Sequence, residues 1–106
     1  MSEIEILKSE IRAFADARAW EIFHTPKNLA MAIAGESGEL VAEFQWLTPQ
    51  ESVKETLGSV KLDSIRMEIA DVAIYLLRLT DVLDIDLAHA IRDKMSVNES
   101  RFQINS

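Results

Sequence analysis

Five acidic residues fall into two groups whose spacing could do chemistry: Glu36 and Glu39 stand three apart with Glu43 four further on, and Glu68 and Asp71 again stand three apart. Residues three or four apart share a face of an α-helix, so each pair presents two carboxylates together. If the two helices face one another, four carboxylates meet between them, a known way to build a metal centre in a bundle. A Glu-x-x-Glu pair is also the ordinary pattern of a solvated helix face. Three features argue against that reading. No Lys or Arg occurs between Lys27 and Lys54, so Glu36, Glu39 and Glu43 lack an intrahelical counter-ion. Glu68 and Asp71 have no basic residue three or four positions away and sit on the helix that reads as most buried, where an unpaired carboxylate is costly. Gly35 and Gly38 lie inside a helix, each costing about 1 kcal/mol relative to alanine, which suggests close approach of another backbone or a ligand.

Oxygen-only donors favour a hard cation, Mg²⁺ or Mn²⁺, over zinc. His24 and His89 form no His-x-x-x-His pair. A cation held by Glu36, Glu39, Glu68 and Asp71 suits a phosphate ester, since it can activate water and neutralise charge building on the phosphoryl group. Glu43 is a candidate for orienting that water or for a second metal. Lys94, Asn98 and Arg101, spaced four and three apart, share a face if the last helix persists, and they offer terminal phosphates two cations and an amide. They also fit a solvated basic helix end. Trp20, Trp46 and Tyr75 could sandwich a base or serve as core or interface aromatics. His24 and Asn28 could hydrogen-bond base or sugar, or simply satisfy the connector around them.

The elements that must position these groups are helices. With three glycines and two prolines the chain has few breaks. Ile4, Leu7, Ile11 and Phe14 mark a first amphipathic helix over about residues 2–18. An aromatic connector with Trp20, Phe23 and His24 follows. Thr25-Pro26 opens a second helix to about Leu47, with threonine as cap and proline at the first position. Thr48-Pro49-Gln50-Glu51 reads as a capping box starting a short helix that stops near Gly58. Over about 61–83, Ile65, Ile69, Val72, Leu76, Leu79 and Leu83 form one apolar stripe, and Ser64, Glu68, Asp71, Tyr75 and Arg78 run beside it. Further apolar residues elsewhere predict burial on most sides of this helix. Asp86 caps a last helix towards Asn98. The expectation is an all-α fold, four main helices in a bundle with one short extra helix.

A chain of 106 residues reads as a single domain, 1–106. At this size folding buries about 65% of the unfolded surface, so a monomer is marginal. The composition is nevertheless 48% hydrophobic, which points to burial in a homo-oligomer. Eighteen Asp and Glu against eleven Lys and Arg give a net charge of −7, a surface that repels polynucleotides and anionic membranes. Without cysteine there are no disulfides or thiolate sites, which suits a cytoplasmic setting. Met1 to Glu10 does not read as a signal peptide, and no apolar run approaches a membrane span.

The stretch Trp20 to Trp46, W-E-I-F-H-T-P-K-N-L-A-M-A-I-A-G-E-S-G-E-L-V-A-E-F-Q-W, closely resembles the MazG-like pyrophosphohydrolases, and within them most of all the dCTP pyrophosphatase branch. E-I-A-D-V-A-I-Y-L at Glu68 to Leu76 is similar to the family's second acidic region, and Lys94, Asn98 and Arg101 fall on its K-x-x-x-N-x-x-R spacing. The resemblance implies that Glu36, Glu39, Glu68 and Asp71 ligate Mg²⁺. It implies that Trp20 and Trp46 stack the base, that His24, Asn28 and Tyr75 line the pocket, and that Lys94, Asn98 and, less closely, Arg101 hold the triphosphate. The implied reaction is hydrolysis of a (deoxy)nucleoside triphosphate at the α-phosphorus, giving monophosphate and pyrophosphate. The implied substrate is dCTP or a modified pyrimidine dNTP, removed as house-cleaning of the nucleotide pool by a dimer or tetramer with composite sites. Arg101-Phe102-Gln103 departs from the R-Y-P ending of many members. Two competing readings are a non-catalytic helical interaction module and a related all-α pyrophosphatase acting on dUTP or phosphoribosyl-ATP.

Overall fold

A computed structural model describes residues 1–104 of the chain. It consists of α1 (Glu3–Ala17), α2 (Pro26–Phe44), the short α3 (Lys54–Leu57), α4 (Ser59–Val82) and α5 (Leu87–Arg101), with no strand among the described residues. The expected caps form. Thr25 accepts from Asn28 with Pro26 at the helix start, and Asp86 accepts from His89; the Ser2 hydroxyl adds a further cap by accepting from the Glu5 amide. The Thr48–Glu51 box also forms, with Thr48 N–H donating to Glu51 Oε1 at 2.8 Å and Glu51 N–H to Thr48 Oγ1 at 3.2 Å. It closes a turn rather than a helix, and α2 ends at Phe44, three residues before the expected Leu47. Helix α3 starts only at Lys54, and Gly58, at φ 79°, makes the break into α4 that a side chain would resist.

Helix α4 is the centre. It packs along α2 and across α1, with α3 against its start. Pairings along the α2–α4 seam run in opposite directions: Glu43 meets Lys61 and Ser64, Glu36 meets Glu68 and Asp71, and His24 meets Arg78. The two long helices are therefore antiparallel. The core is thin, comprising Ala15, Leu29, Ile65 and Leu77. In one chain α4 is not buried on most sides, since Met67, Ile69, Ile74, Leu76 and Val82 remain exposed.

Helix α5 stands apart. It barely touches the other helices and buries none of its residues, so a single chain builds a three-helix layer with a projecting fourth rather than a closed four-helix bundle. The dimensions agree. The radius of gyration is 16.9 Å, against about 13 Å for a compact domain of this length. The accessible surface is 8055 Å², where a folded monomer of this mass exposes about 6000 Å². No described helix is long and apolar enough to cross a membrane.

Ionic contacts staple α1 to the far end of α4. Buried Lys8 donates to the Ile85 carbonyl at 2.9 Å, capping the α4–α5 turn. Arg12 donates to both oxygens of Asp81, and the buried Arg78 donates to the same carboxylate at 3.2 Å. The Arg12 guanidinium holds the Asp81 carboxyl below its usual range, against the opposing effect of burial, with Arg78 and Lys8 adding to the pull. A depressed carboxylate contributes stability present above its unfolded pKa and lost as pH falls through the folded value. Melting temperature should therefore drop below about pH 4. Asp81→Asn leaves Arg78 buried without its counter-ion, and denaturant titration at neutral pH should show a loss of about 3–5 kcal/mol.

Candidate metal centre and adjoining pocket

Midway along the α2–α4 seam, carboxylate oxygens of Glu36, Glu68 and Asp71 all lie within 4.8 Å of one another. The geometry follows from the i, i+3 spacing on α4, which turns Glu68 and Asp71 to one side, and from the antiparallel register that brings Glu36 opposite. Among the described residues no Lys, Arg or His lies within ion-pair distance of these three. Burial pushes the Glu68 carboxyl up, and the charges of Asp71, Glu36, Glu39 and Glu43 push it further the same way. An all-oxygen, like-charged donor set without an internal cation fits a hard divalent ion.

Glu39 is exposed and its carboxylate is not one of the converging three, although its charge reaches Glu68. Glu43 is engaged elsewhere. Lys61 Nζ lies 3.0 Å from its Oε2 and Ser64 Oγ donates to Oε1 at 2.9 Å. Lys61 and Ser64 hold the Glu43 carboxyl below its usual range. The expected role of Glu43 at a second metal or a water conflicts with this neutralisation by a cation from α4, which a search for counter-ions on α2 alone could not reveal. Gly35 and Gly38 have open space where a Cβ would stand, so no backbone approaches them within the chain.

Beside the centre is a pocket that Asp71 shares with Trp20, His24 and Tyr75. Its aromatic wall depends on how α1 ends. Ala19 adopts φ 53° and Trp20 N–H donates to the Ala15 carbonyl at 3.0 Å, folding the chain back so that Trp20 meets Phe14 edge-on with ring centroids 5.6 Å apart. The pocket also takes in Ile11, Phe14, Ala15, Ile74 and Arg78, none of which sequence reasoning proposed for the site. Arg78 was detectable as the next member of the polar series Ser64, Glu68, Asp71, Tyr75 on the face of α4 turned to α2.

Other candidates are not brought here within one chain. Asn28 spends its amide on the Phe23 carbonyl, at 3.1 Å, tying down the connector. Trp46 is 86% exposed and lies beyond the opposite end of α2 from Trp20. The 19 residues of that helix span about 28 Å, too far for one base to touch both rings. Lys94, Asn98 and Arg101 do lie on one helix, which persists to Arg101, but that helix is the projecting α5.

Comparison with known proteins agrees with this architecture. The sequence model of the MazG-like family matches residues 31–106. The chain is 37% identical over 92 residues to dCTP pyrophosphatase 1 of Rattus norvegicus, covering 87% of this chain and 54% of that one. It is 39% identical over 89 residues to dCTP pyrophosphatase 1 of Homo sapiens, covering 84% and 52%. The chain thus spans about half the length of the curated relatives it matches. Among solved structures, a pyrophosphatase from Archaeoglobus fulgidus superposes with a TM-score of 0.89 at 39% identity, covering 98% of this chain and 95% of that one. The sequence match takes in both acidic helices and α5, and the superposition covers almost the whole fold: this chain belongs to the MazG-like family.

Proposed function

We propose that residues 1–106 form one domain, a Mg²⁺-dependent nucleoside-triphosphate pyrophosphohydrolase acting on dCTP or a modified pyrimidine dNTP in the cytoplasm. The observation that carries the reading is the convergence of Glu36, Glu68 and Asp71 beside an aromatic pocket. The dCTP pyrophosphatase and pyrophosphatase names of its relatives support the same reaction. Glu36, Glu68 and Asp71 would hold the ion, with Glu39 as a fourth ligand. A bound Mg²⁺ supplies Lewis acidity toward the phosphates and makes water a competent nucleophile at neutral pH. Trp20 offers a face to the base, while Tyr75 and His24 bound its edge.

The remaining parts come from a second copy of the chain, as a dimer or tetramer. The surface in excess of a folded monomer is about 2000 Å² per chain, the scale of an obligate interface. Exposed Ile69 and Leu76 on α4, and Ile91 and Met95 on α5, supply the apolar material. Lys94, Asn98 and Arg101 of the copy grip the triphosphate, and its Trp46 closes over the base.

Purified protein with Mg²⁺ is expected to release pyrophosphate and monophosphate from a dNTP panel, fastest from dCTP or a close pyrimidine analogue. Orthophosphate as the first product refutes the assignment, and dUTP as the best substrate redirects it. Calorimetry showing no Mg²⁺-dependent nucleotide binding would favour the helical interaction module.

A further inference from the structure

Arg78 is a charged residue buried to 5% exposure, and the metal centre and the triphosphate contacts make no use of it. Its Nε–H donates to His24 Nδ1 at 3.0 Å, and its Nη1 reaches Asp81 at 3.2 Å. Arg12 holds that Asp81 from the other side, so a chain of contacts runs from α1 through Asp81 and Arg78 to the connector. A guanidinium only donates and does not lose its proton, so the nitrogen facing it must be a lone pair. A neutral imidazole accepting at Nδ1 carries its proton at Nε2. Flipping the ring would set a C–H against the guanidinium. Protonating it would set N–H against N–H. Burial, and then the Arg78 charge, accordingly hold the His24 pKa below its usual value. Nε2 itself has no hydrogen-bond partner among the described residues, and His24 lines the pocket with Trp20 and Tyr75.

We propose that Arg78 is a specificity-determining positioning residue: by occupying Nδ1 it locks His24 as an Nε2–H donor, so this wall selects a ligand oxygen acceptor and rejects an N–H donor. The assignment rests on the pocket taking a nucleotide, as read above. The acceptor is an oxygen of the base or of the sugar.

The test begins without substrate. Nitrogen–proton correlation spectra of the wild-type imidazole should show Nδ1 bare and Nε2 protonated, and Arg78→Met should produce a mixture of tautomers. A protonated Nδ1 in the wild type, or an unchanged ring in Arg78→Met, overturns the proposal. In turnover of dCTP, Arg78→Met and Arg78→Lys should raise KM roughly tenfold, the worth of one misdirected hydrogen bond, with kcat little changed. Should Arg78→Met not fold, His24→Gln and His24→Asn carry the test, since they leave Arg78 and Asp81 in place. Glutamine sets its amide N–H near the position of Nε2 and should raise KM less than asparagine, whose amide falls nearer Nδ1. Equal penalties overturn the proposal. Repeating the pair with dideoxy-CTP tests the sugar. A penalty that vanishes assigns the sugar 3′-oxygen, and one that persists excludes it. Protein that hydrolyses no dNTP but keeps the Nε2–H ring refutes the functional reading alone. Active protein with the opposite tautomer refutes only this inference.

Discussion

Glu68→Gln is expected to lower kcat by roughly 10³-fold, the equivalent of several kcal/mol of transition-state stabilisation, while raising the melting temperature of the metal-free protein. The two signs have one cause. Glu68 sits among Asp71, Glu36, Glu39 and Glu43, and burial and those like charges oppose its ionisation. Removing the charge relieves the empty site and disables the loaded one. A residue of purely structural importance would lose both stability and activity, so activity assays paired with thermal melts in chelator and in Mg²⁺ separate the cases. Added Mg²⁺ should stabilise the wild type and have little effect on the variant. Glu39→Gln, outside the converging three, is expected to abolish turnover with the fold intact. Full activity would remove Glu39 from the ligand set.

The second large effect concerns assembly. Glu68→Gln carries an impaired acidic centre and an intact α5. Lys94→Ala/Arg101→Ala carries the reverse, and losing two charge-assisted contacts should cost it roughly 10²–10³-fold in kcat/KM. Each alone is nearly inactive. If every site draws its acidic centre and its α5 from different chains, random co-assembly of equal amounts leaves about a quarter of the sites intact, and activity returns to that level. If each chain completes its own site, no mixture recovers anything. Light scattering on the same samples establishes the stoichiometry, and a clean monomer at micromolar concentration would contradict the composite site.

Local rules were legible in the sequence. Thr25-Pro26 and Asp86 act as helix starts because capping is decided within one turn of chain. The i, i+3 acidic pairs announced a shared face for the same reason, and the antiparallel register of α2 on α4 then brings Glu36 to Glu68 and Asp71. Long-range partners were not legible. Lys61 reaches Glu43 from 18 positions away, and Arg78 reaches His24 from 54. The Thr48–Glu51 box formed without its helix, because reciprocal capping satisfies only the first amides and the four-residue α3 adds little cooperative gain. Trp20 and Trp46 suggested one sandwich from composition, whereas the rigid length of α2 keeps them apart.

Helix α5 has a further consequence. Fifteen residues with almost no tertiary packing make a marginal helix in water, so its order is borrowed from whatever it docks against. With a sister chain as the dock, the helix and the phosphate grip it carries exist only above the dissociation constant of the complex. Diluting the protein would then silence hydrolysis without inhibitor or modification, and the cell's expression level would set a threshold for the activity.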